Sequence, residues 1–176
     1  MGTLDLTGSF IVGGIILFTL TAVFVRFTSS SQSAIINEFT QSSLTNVSEV
    51  IDHDFNKLGY RVGATNKITS IDTASISFLA DLNNDGTIDS ISYYTKTVNG
   101  YLKLVRRNSS LSPAEWEVTI DDFDVIGYDS VGTATYTIAN VRSLKIGLLL
   151  NNEIFTTDST EIIGAYWEKR YYPKNL

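Results

Sequence analysis

The sequence predicts an α+β protein in which a long N-terminal helix, half apolar and half amphipathic, packs on an antiparallel β-sheet. Three observations support this. Residues 6–25 carry no charge, residues 28–58 repeat apolar side chains at helical spacing, and residues 67–176 alternate with a period of two. We therefore expect an N-terminal transmembrane or assembly helix, 1–27, and a head, 28–176, made of the amphipathic helix 28–58 and the β-sheet region 67–176.

The charge-free run lies between Asp5 and Arg26. At about 1.5 Å per helical residue it spans roughly 30 Å, the thickness of the hydrocarbon core of a bilayer. The exit Val25-Arg26-Phe27 has no small-x-small cleavage motif, so we expect a retained anchor rather than a cleaved signal peptide. The expected location is a membrane, crossed once.

The amphipathic half continues the helix, because no proline or glycine interrupts residues 15–58 and Gly59 can cap the end. We expect one helix from about residue 4 to 58. Residues 28–33, TSSSQS, are poor helix formers and allow a kink. The side chains expected to bury against the sheet are Phe39, Val47, Ile51, Phe55 and Leu58.

The rest of the chain is rich in Ile, Val, Thr, Tyr and Phe and predicts about six antiparallel strands. Turn signals separate them, among them Asn83–Gly86, Asn99-Gly100 and Asn151-Asn152. One face of the sheet needs a cover, and the amphipathic half of the helix is the available one.

Composition narrows the function classes. The chain has 176 residues, a net charge of −6 and only 13 basic residues, which argues against nucleic acid as the main partner. It has no cysteine, and its one histidine, His53, lies on the amphipathic helix between two aspartates. Because the usual nucleophile–base arrangements are missing, we do not expect an enzyme.

Two segments, IDHDFNKLGYRVG at 51–63 and ADLNNDGTIDSISYY at 80–94, together with the long helix, resemble the minor members of the type IV pilin and pseudopilin family. The resemblance implies a structural subunit of a pilus-like or pseudopilus-like filament. Its partners would be membrane lipid and other copies or related pilin-like subunits, met through the N-terminal helix. The head would be extracytoplasmic, in a cell-surface or periplasmic filament. The N-terminus is non-standard for the family, since no basic stretch precedes Asp5 and no proline interrupts the first helix.

Candidate assembly residues are Asp5, Ser9, Gly13 and Gly14. By the resemblance, Asp5 would meet the N-terminal amine of a neighbouring subunit; the simpler alternative is an acid at a helix start, favoured by the helix dipole. Ser9 and Gly13 have the small-xxx-small spacing that lets helices approach closely. Gly14, next to Gly13, can loosen the helix.

A calcium-loop pattern, D-x-N-x-D-G, begins at Asp81. Its candidate ligands are Asp81, Asn83, Asp85, Thr87 and Asp89. The terminal Glu of an EF-hand is absent, since Ser92 stands at that place. The alternative is a β-hairpin whose turn uses Asn84, Asp85 and Gly86. Possible calcium is the one cofactor that the sequence suggests.

Two functions from different classes remain. The first is the filament subunit. The second is a single-pass, membrane-anchored binding module that acts as a monomer. The amphipathic extension favours the first, because a simple anchor needs none. Arg26, the only basic residue near the anchor, favours a cytoplasmic head by the positive-inside tendency, against the resemblance.

Overall fold

The computed structural model describes residues 2–110, 115–155 and 160–176, with side chains for all of these except 3–6, 152–155, 160 and 161. These parts contain a long helix, eight strands and a short 3₁₀ turn. In chain order they are α1 Gly2–Asn56, β1 Ile68–Asp72, β2 Ser75–Ala80, β3 Asp89–Val98, β4 Tyr101–Asn108, β5 Glu115–Thr119, β6 Asp122–Tyr128, the 3₁₀ turn Ile138–Asn140, β7 Ser143–Phe155 and β8 Thr160–Tyr171. The predicted α+β class, with one long apolar helix on antiparallel sheet, is confirmed.

Helix α1 runs unbroken for 55 residues, roughly 80 Å at about 1.5 Å per residue. It remains helical through 28–33. There the Thr28 hydroxyl donates to the Phe24 carbonyl at 2.9 Å and the Ser33 hydroxyl to the Ser29 carbonyl at 3.2 Å. These bonds to the carbonyl four residues earlier satisfy the hydroxyls within the helix, which offsets the low helix propensity of the segment.

Three residues after α1 ends at Asn56, the backbone reaches a position that requires glycine. Gly59 has φ +73, and its N–H donates to the carbonyl of Leu79 at 2.9 Å. A Cβ at this position would approach the side chain of Lys67 to 2.9 Å. Gly59 therefore redirects the chain after the helix and fastens that turn to the sheet.

The strands form two antiparallel sheets rather than one. The first has the order β1-β2-β3-β4-β5 and the second the order β6-β7-β8. The chain crosses between them in two residues: the Ile120 N–H donates to Leu102 in the first sheet, and the Asp121 N–H donates to Leu149 in the second. About six strands were predicted, and two more arise because the chain turns at Thr73-Ala74, between β1 and β2, and crosses at Ile120-Asp121, between β5 and β6. The strands therefore number eight within the described residues.

The second half of α1 lies over the junction of the two sheets. Val47, Ile51, Phe55 and Leu58 are all buried, as predicted. The Phe55 ring contacts Phe78 on β2 at 5.1 Å, Tyr93 on β3 at 5.6 Å and Tyr171 on β8 at 5.3 Å between centroids. One aromatic side chain thus joins the helix to both sheets, at the centre of the core.

The prediction for Phe39 is wrong. Its side chain is 67% exposed, while the neighbouring Thr40 is fully buried. At about 100° per residue, Thr40, Leu44 and Val47 share one face of the helix, and Phe39 falls a quarter-turn or more away from it. The prediction relied on the apolar character of Phe39 and not on its angular position around the helix, so it assigned Phe39 to the wrong face.

The predicted turn at Asn151-Asn152 is also wrong. Both residues lie inside β7, paired with Gly164 and Ile163 of β8. The β7–β8 hairpin is therefore longer than the sequence suggests. By contrast, Asn99-Gly100 does form the two-residue turn between β3 and β4, with φ of 54 and 83.

Candidate functional site

The apolar half of α1 is exposed on all sides. Every large apolar side chain from Phe10 to Phe27 is more than half exposed, from 54% at Ile16 to 78% at Phe18. The helix is long and apolar enough to cross a membrane once, and none of its apolar window is buried inside the molecule. A helix apolar all round is stable only when lipid or other helices surround it.

The candidate assembly residues lie on this helix. Ser9, Gly13 and Gly14 are exposed, and a Cβ added at either glycine would meet nothing within 4 Å. Because Ser9 and Gly13 are four residues apart, they share one face. Asp5 is within the helix, but its side chain lies outside the described residues.

A buried ion pair fastens the last turn of α1 to the first sheet. Asp54 is 1% exposed and accepts two hydrogen bonds from Arg106 on β4, from Nε at 2.6 Å and from Nη2 at 3.1 Å. The Tyr93 hydroxyl donates a third, at 2.6 Å. The Asp54 carboxylate is thus bound in the two-pronged geometry that makes Arg–carboxylate pairs strong.

The environment shifts the pKa values of both donors. Burial and the Asp54 charge raise the pKa of Tyr93 well above its usual range. Burial alone would lower the pKa of Arg106, but the hydrogen bonds and charge of Asp54 outweigh it and raise that pKa. Tyr93 therefore stays neutral and Arg106 stays charged at any physiological pH.

A second carboxylate on the same turn binds the other sheet. Asp52 accepts hydrogen bonds from the Tyr171 hydroxyl at 2.9 Å and from Lys169 Nζ, both on β8. Burial raises the pKa of Asp52, but the bonds from Lys169 and Tyr171 outweigh it, so its net pKa is lowered. Asp52 and Asp54 together attach the helix to both sheets.

Sequence reasoning missed this junction. The partners of Asp54 are 39 and 52 residues away along the chain, and those of Asp52 are 117 and 119 residues away. No local motif marks such distant pairs. The only local indication of the junction was that two aspartates flank His53 on the amphipathic part of the helix.

The acidic loop, defined as residues 81–89, connects β2 to β3. The Gly86 N–H donates to Asp81 Oδ2 at 3.1 Å. The Asp85 N–H donates to Asn83 Oδ1 at 3.1 Å, and the Thr87 N–H donates to Asp85 Oδ1 at 2.6 Å. The structure therefore brings four of the five predicted calcium residues, Asp81, Asn83, Asp85 and Thr87, into one turn.

Asp89, the fifth, closes the base of the loop. One of its oxygens accepts the Leu82 N–H at 3.1 Å, and the other accepts the Ser110 hydroxyl. On the opposite side, Arg61 Nη1 is 3.0 Å from Asp81 Oδ2. Within the described parts of the chain, no hydrogen-bond donor reaches Asp81 Oδ1, although that atom is buried.

In the residues that the structure describes, no three His, Cys, Asp or Glu side chains gather as a metal cluster. A cation at the acidic loop would therefore need amide and carbonyl oxygens besides carboxylates, as calcium sites commonly use.

His53 is 3.2 Å from the neighbouring Asp54, and its side chain is 57% exposed.

No protein-family model, curated protein or solved structure matches this chain.

Proposed function

We propose that this protein is a structural subunit of a pilus-like or pseudopilus-like filament that assembles through the apolar half of α1. The observation that carries the proposal is the continuity of α1. One unbroken helix has an apolar half exposed on every side, and its last part, from Thr40 onward, packs into the core of the head. Packing of the apolar halves would therefore fix the positions of the heads.

The apolar half of the helix supports a single membrane span, and the resemblance to pilins supports a head outside the cytoplasm. Before assembly, membrane lipid covers the apolar half, which crosses the bilayer once with the head outside the cytoplasm. In the filament, the helices of neighbouring copies or of related pilin-like subunits replace the lipid. Helices associate in lipid through small residues that permit close approach. Ser9 and Gly13 provide such a face, with Gly14 beside it.

The alternative is a monomeric, membrane-anchored binding module. It explains the apolar half but gives no role to a helix that continues through the membrane into the core of the head. One pocket among the described residues, lined in part by Asp54 and Arg106, is an open surface, and the charges of these two residues already bind each other.

Electron microscopy and engineered cysteines test the proposal together. The chain contains no cysteine, so single cysteines give unambiguous crosslinks. Full-length protein, purified in detergent, is placed in detergent-free buffer and imaged. We expect filaments with a regular repeat, and monomers when residues 1–28 are deleted, because the remaining half of the helix still covers the sheet.

In membranes, we expect Ser9→Cys to crosslink between copies more efficiently than Ile11→Cys, the matched control. At about 100° per residue, position 11 faces away from positions 9 and 13. Single heads in lipid together with equal, low crosslinking at both positions would contradict the proposal and favour the monomeric module.

A further inference from the structure

We propose that the head binds a small organic anion, a carboxylate with an apolar body, in a cavity at the end of the head where α1 ends. The cavity has a volume of about 320 Å³ and lies between the segment before β1, the 3₁₀ turn and the residues just before β7. The charged side chains that line it are Lys67 and Arg142, and no aspartate or glutamate of the described residues does so. In a chain with a net charge of −6, a concave site that carries only positive side chains favours an anionic ligand.

The protein does not neutralise these two cations itself. Basic side chains elsewhere in the head form ion pairs, for example Arg61 with an aspartate and Lys145 with a glutamate. Among the described residues, no carboxylate pairs with Lys67 or Arg142, and neither does the carboxylate of Leu176, which lines the same cavity. Both positive charges therefore remain available to a ligand.

The guanidinium of Arg142 is held in place by the backbone. Its Nη1 donates to the carbonyl of Ala139 at 3.0 Å and to the carbonyl of Val141 at 2.8 Å. In the described parts of the chain, no acceptor is bonded to Nε or Nη2, so the edge that these two nitrogens form is free. That edge is the planar fork that binds both oxygens of a carboxylate. Because the side chain is already held, it loses little rotamer freedom when a ligand binds.

Apolar side chains form the floor of the cavity. Ile68 and Val141 are each 1% exposed, and Ile138 packs against the same core. Thr65 and Asn66, both exposed, add polar groups. An apolar lining with a few polar groups is typical of small-molecule sites, and this cavity is near the lower limit of their range of about 300–1,000 Å³. The ligand that fits best therefore joins one carboxylate to a small apolar body, because an inorganic anion would leave the floor uncovered.

The cavity lies far from the apolar half of α1. The Lys67 side chain lies against Gly59, three residues after α1 ends, where an added Cβ would approach Lys67 Cγ to 2.9 Å. The apolar half is at the opposite end of the same helix. A bound ligand is therefore compatible with assembly through α1, and its affinity can be measured without a filament.

The experiment is an NMR titration of the isotope-labelled full chain in detergent micelles with sodium benzoate at constant ionic strength. Benzoate carries a carboxylate on an apolar ring, benzamide is a neutral molecule of similar shape, and acetate has the charge without the ring. The backbone N–H signals of residues 65–68 and 138–142 and the Nε–H signal of Arg142 report binding at the cavity. With benzoate we expect these signals to shift and saturate with a Kd of about 10⁻⁴ to 10⁻³ M, as for a ligand of roughly nine non-hydrogen atoms on a partly open site.

Two variants remove one charge each from the cavity. Arg142→Gln and Lys67→Gln should each weaken benzoate binding by about threefold to tenfold, the effect of removing one nearby charge near a protein surface. Among the described residues, the Lys67 side chain makes no ion pair, so Lys67→Gln tests the cavity even if the turn around Arg142 rearranges in the other variant. Arg107→Gln is the matched control, because it removes the same charge from β4, where the guanidinium is 62% exposed and 3.9 Å from Glu115. Its affinity for benzoate should equal that of the unmodified chain.

Four results would overturn the proposal. Benzamide or acetate binding as tightly as benzoate would show that the charge or the apolar floor plays no part. Absence of saturable shifts at the cavity up to about 20 mM benzoate, well above the expected Kd, would show that there is no site. Unchanged binding in both cavity variants, or equal weakening in Arg107→Gln, would show that Lys67 and Arg142 do not hold the ligand. The titration needs no filament, so its outcome is separate from that of the assembly experiment.

Discussion

Replacing Asp54 should destabilise the head far more than replacing any exposed aspartate. Asp54→Ala leaves the Arg106 guanidinium, whose side chain is 12% exposed, without its carboxylate. It also leaves the buried Tyr93 hydroxyl without its acceptor. Removing one partner of a buried ion pair costs about 3–5 kcal/mol, because an uncompensated charge remains in the protein interior. We expect the free energy of unfolding to fall by that amount.

Asp52→Ala is the matched control, two residues earlier on the same turn. The side chains of Asp52 and its ion-pair partner Lys169 are 36% and 44% exposed, so this pair is worth only about 0–1 kcal/mol. The lost hydrogen bond from Tyr171 adds about 1 kcal/mol. Both aspartates lie near the C-terminus of α1, where the helix dipole disfavours an acid, so that small effect cancels in the comparison.

The assay is urea unfolding of the full chain in detergent micelles, followed by the circular dichroism of the β-sheets. A double variant, Asp54→Leu with Arg106→Met, removes both charges. Such apolar replacements of both partners are often neutral or stabilising, so the double variant should recover the part of the loss that comes from the unpaired charge, while the Tyr93 hydroxyl still lacks its acceptor. Equal destabilisation by Asp54→Ala and Asp52→Ala, or no recovery in the double variant, would refute the assignment of a buried ion pair.

Two further predictions concern the core and the pH dependence. Phe55→Ala should lower the free energy of unfolding in urea by about 3–5 kcal/mol, the usual loss for a fully buried phenylalanine. Asn46→Ala, on the exposed face of the helix, should lower it little. Equal losses in the two variants would contradict the packing of α1 on the sheets. Hydrogen bonds from Lys103 and Lys96 lower the pKa of Glu117 from 4.5 to about 2. Because the pKa is lowered in the folded state, Glu117 contributes stability above pH 4.5, and this stability is lost as the pH falls toward 2. Between these pH values, the urea midpoint of Glu117→Gln should therefore decrease less than that of the unmodified chain. Parallel decreases in the two proteins would refute this role of Glu117.

The long helix was predictable almost to the residue, because its signals are local. No glycine or proline interrupts residues 15–58, and Gly59 provides a left-handed position in the turn that follows the helix. The number of strands was harder to predict from the sequence. The β1–β2 turn uses Thr73-Ala74, and the crossing between sheets uses Ile120-Asp121, and neither pair contains glycine, proline or asparagine. Such turns are set by tertiary contacts, which the local sequence does not contain.

The acidic loop and the Asp54–Arg106 pair also differ in how much of each could be predicted from the sequence. The acidic loop is a run of nine neighbouring residues, so its motif is visible in the sequence and its turn was predicted. Asp81 Oδ1 is buried and meets no hydrogen-bond donor in the described parts of the chain, which only the structure reveals. The Asp54–Arg106 pair has no local signal at all, since 52 residues separate its members.

The attachment of α1 at two points bears directly on assembly. Asp52 binds β8 in the second sheet, and Asp54 binds β3 and β4 in the first, so rotation of the helix about its axis would break both sets of hydrogen bonds. The face that carries Ser9 and Gly13 therefore keeps a constant direction relative to the head, because α1 is unbroken between them. Contacts between apolar halves would then dictate both the spacing and the orientation of the heads. An anchor for a monomer needs no such fixed angle, and for this reason the junction supports a subunit whose helix sets the geometry of an assembly.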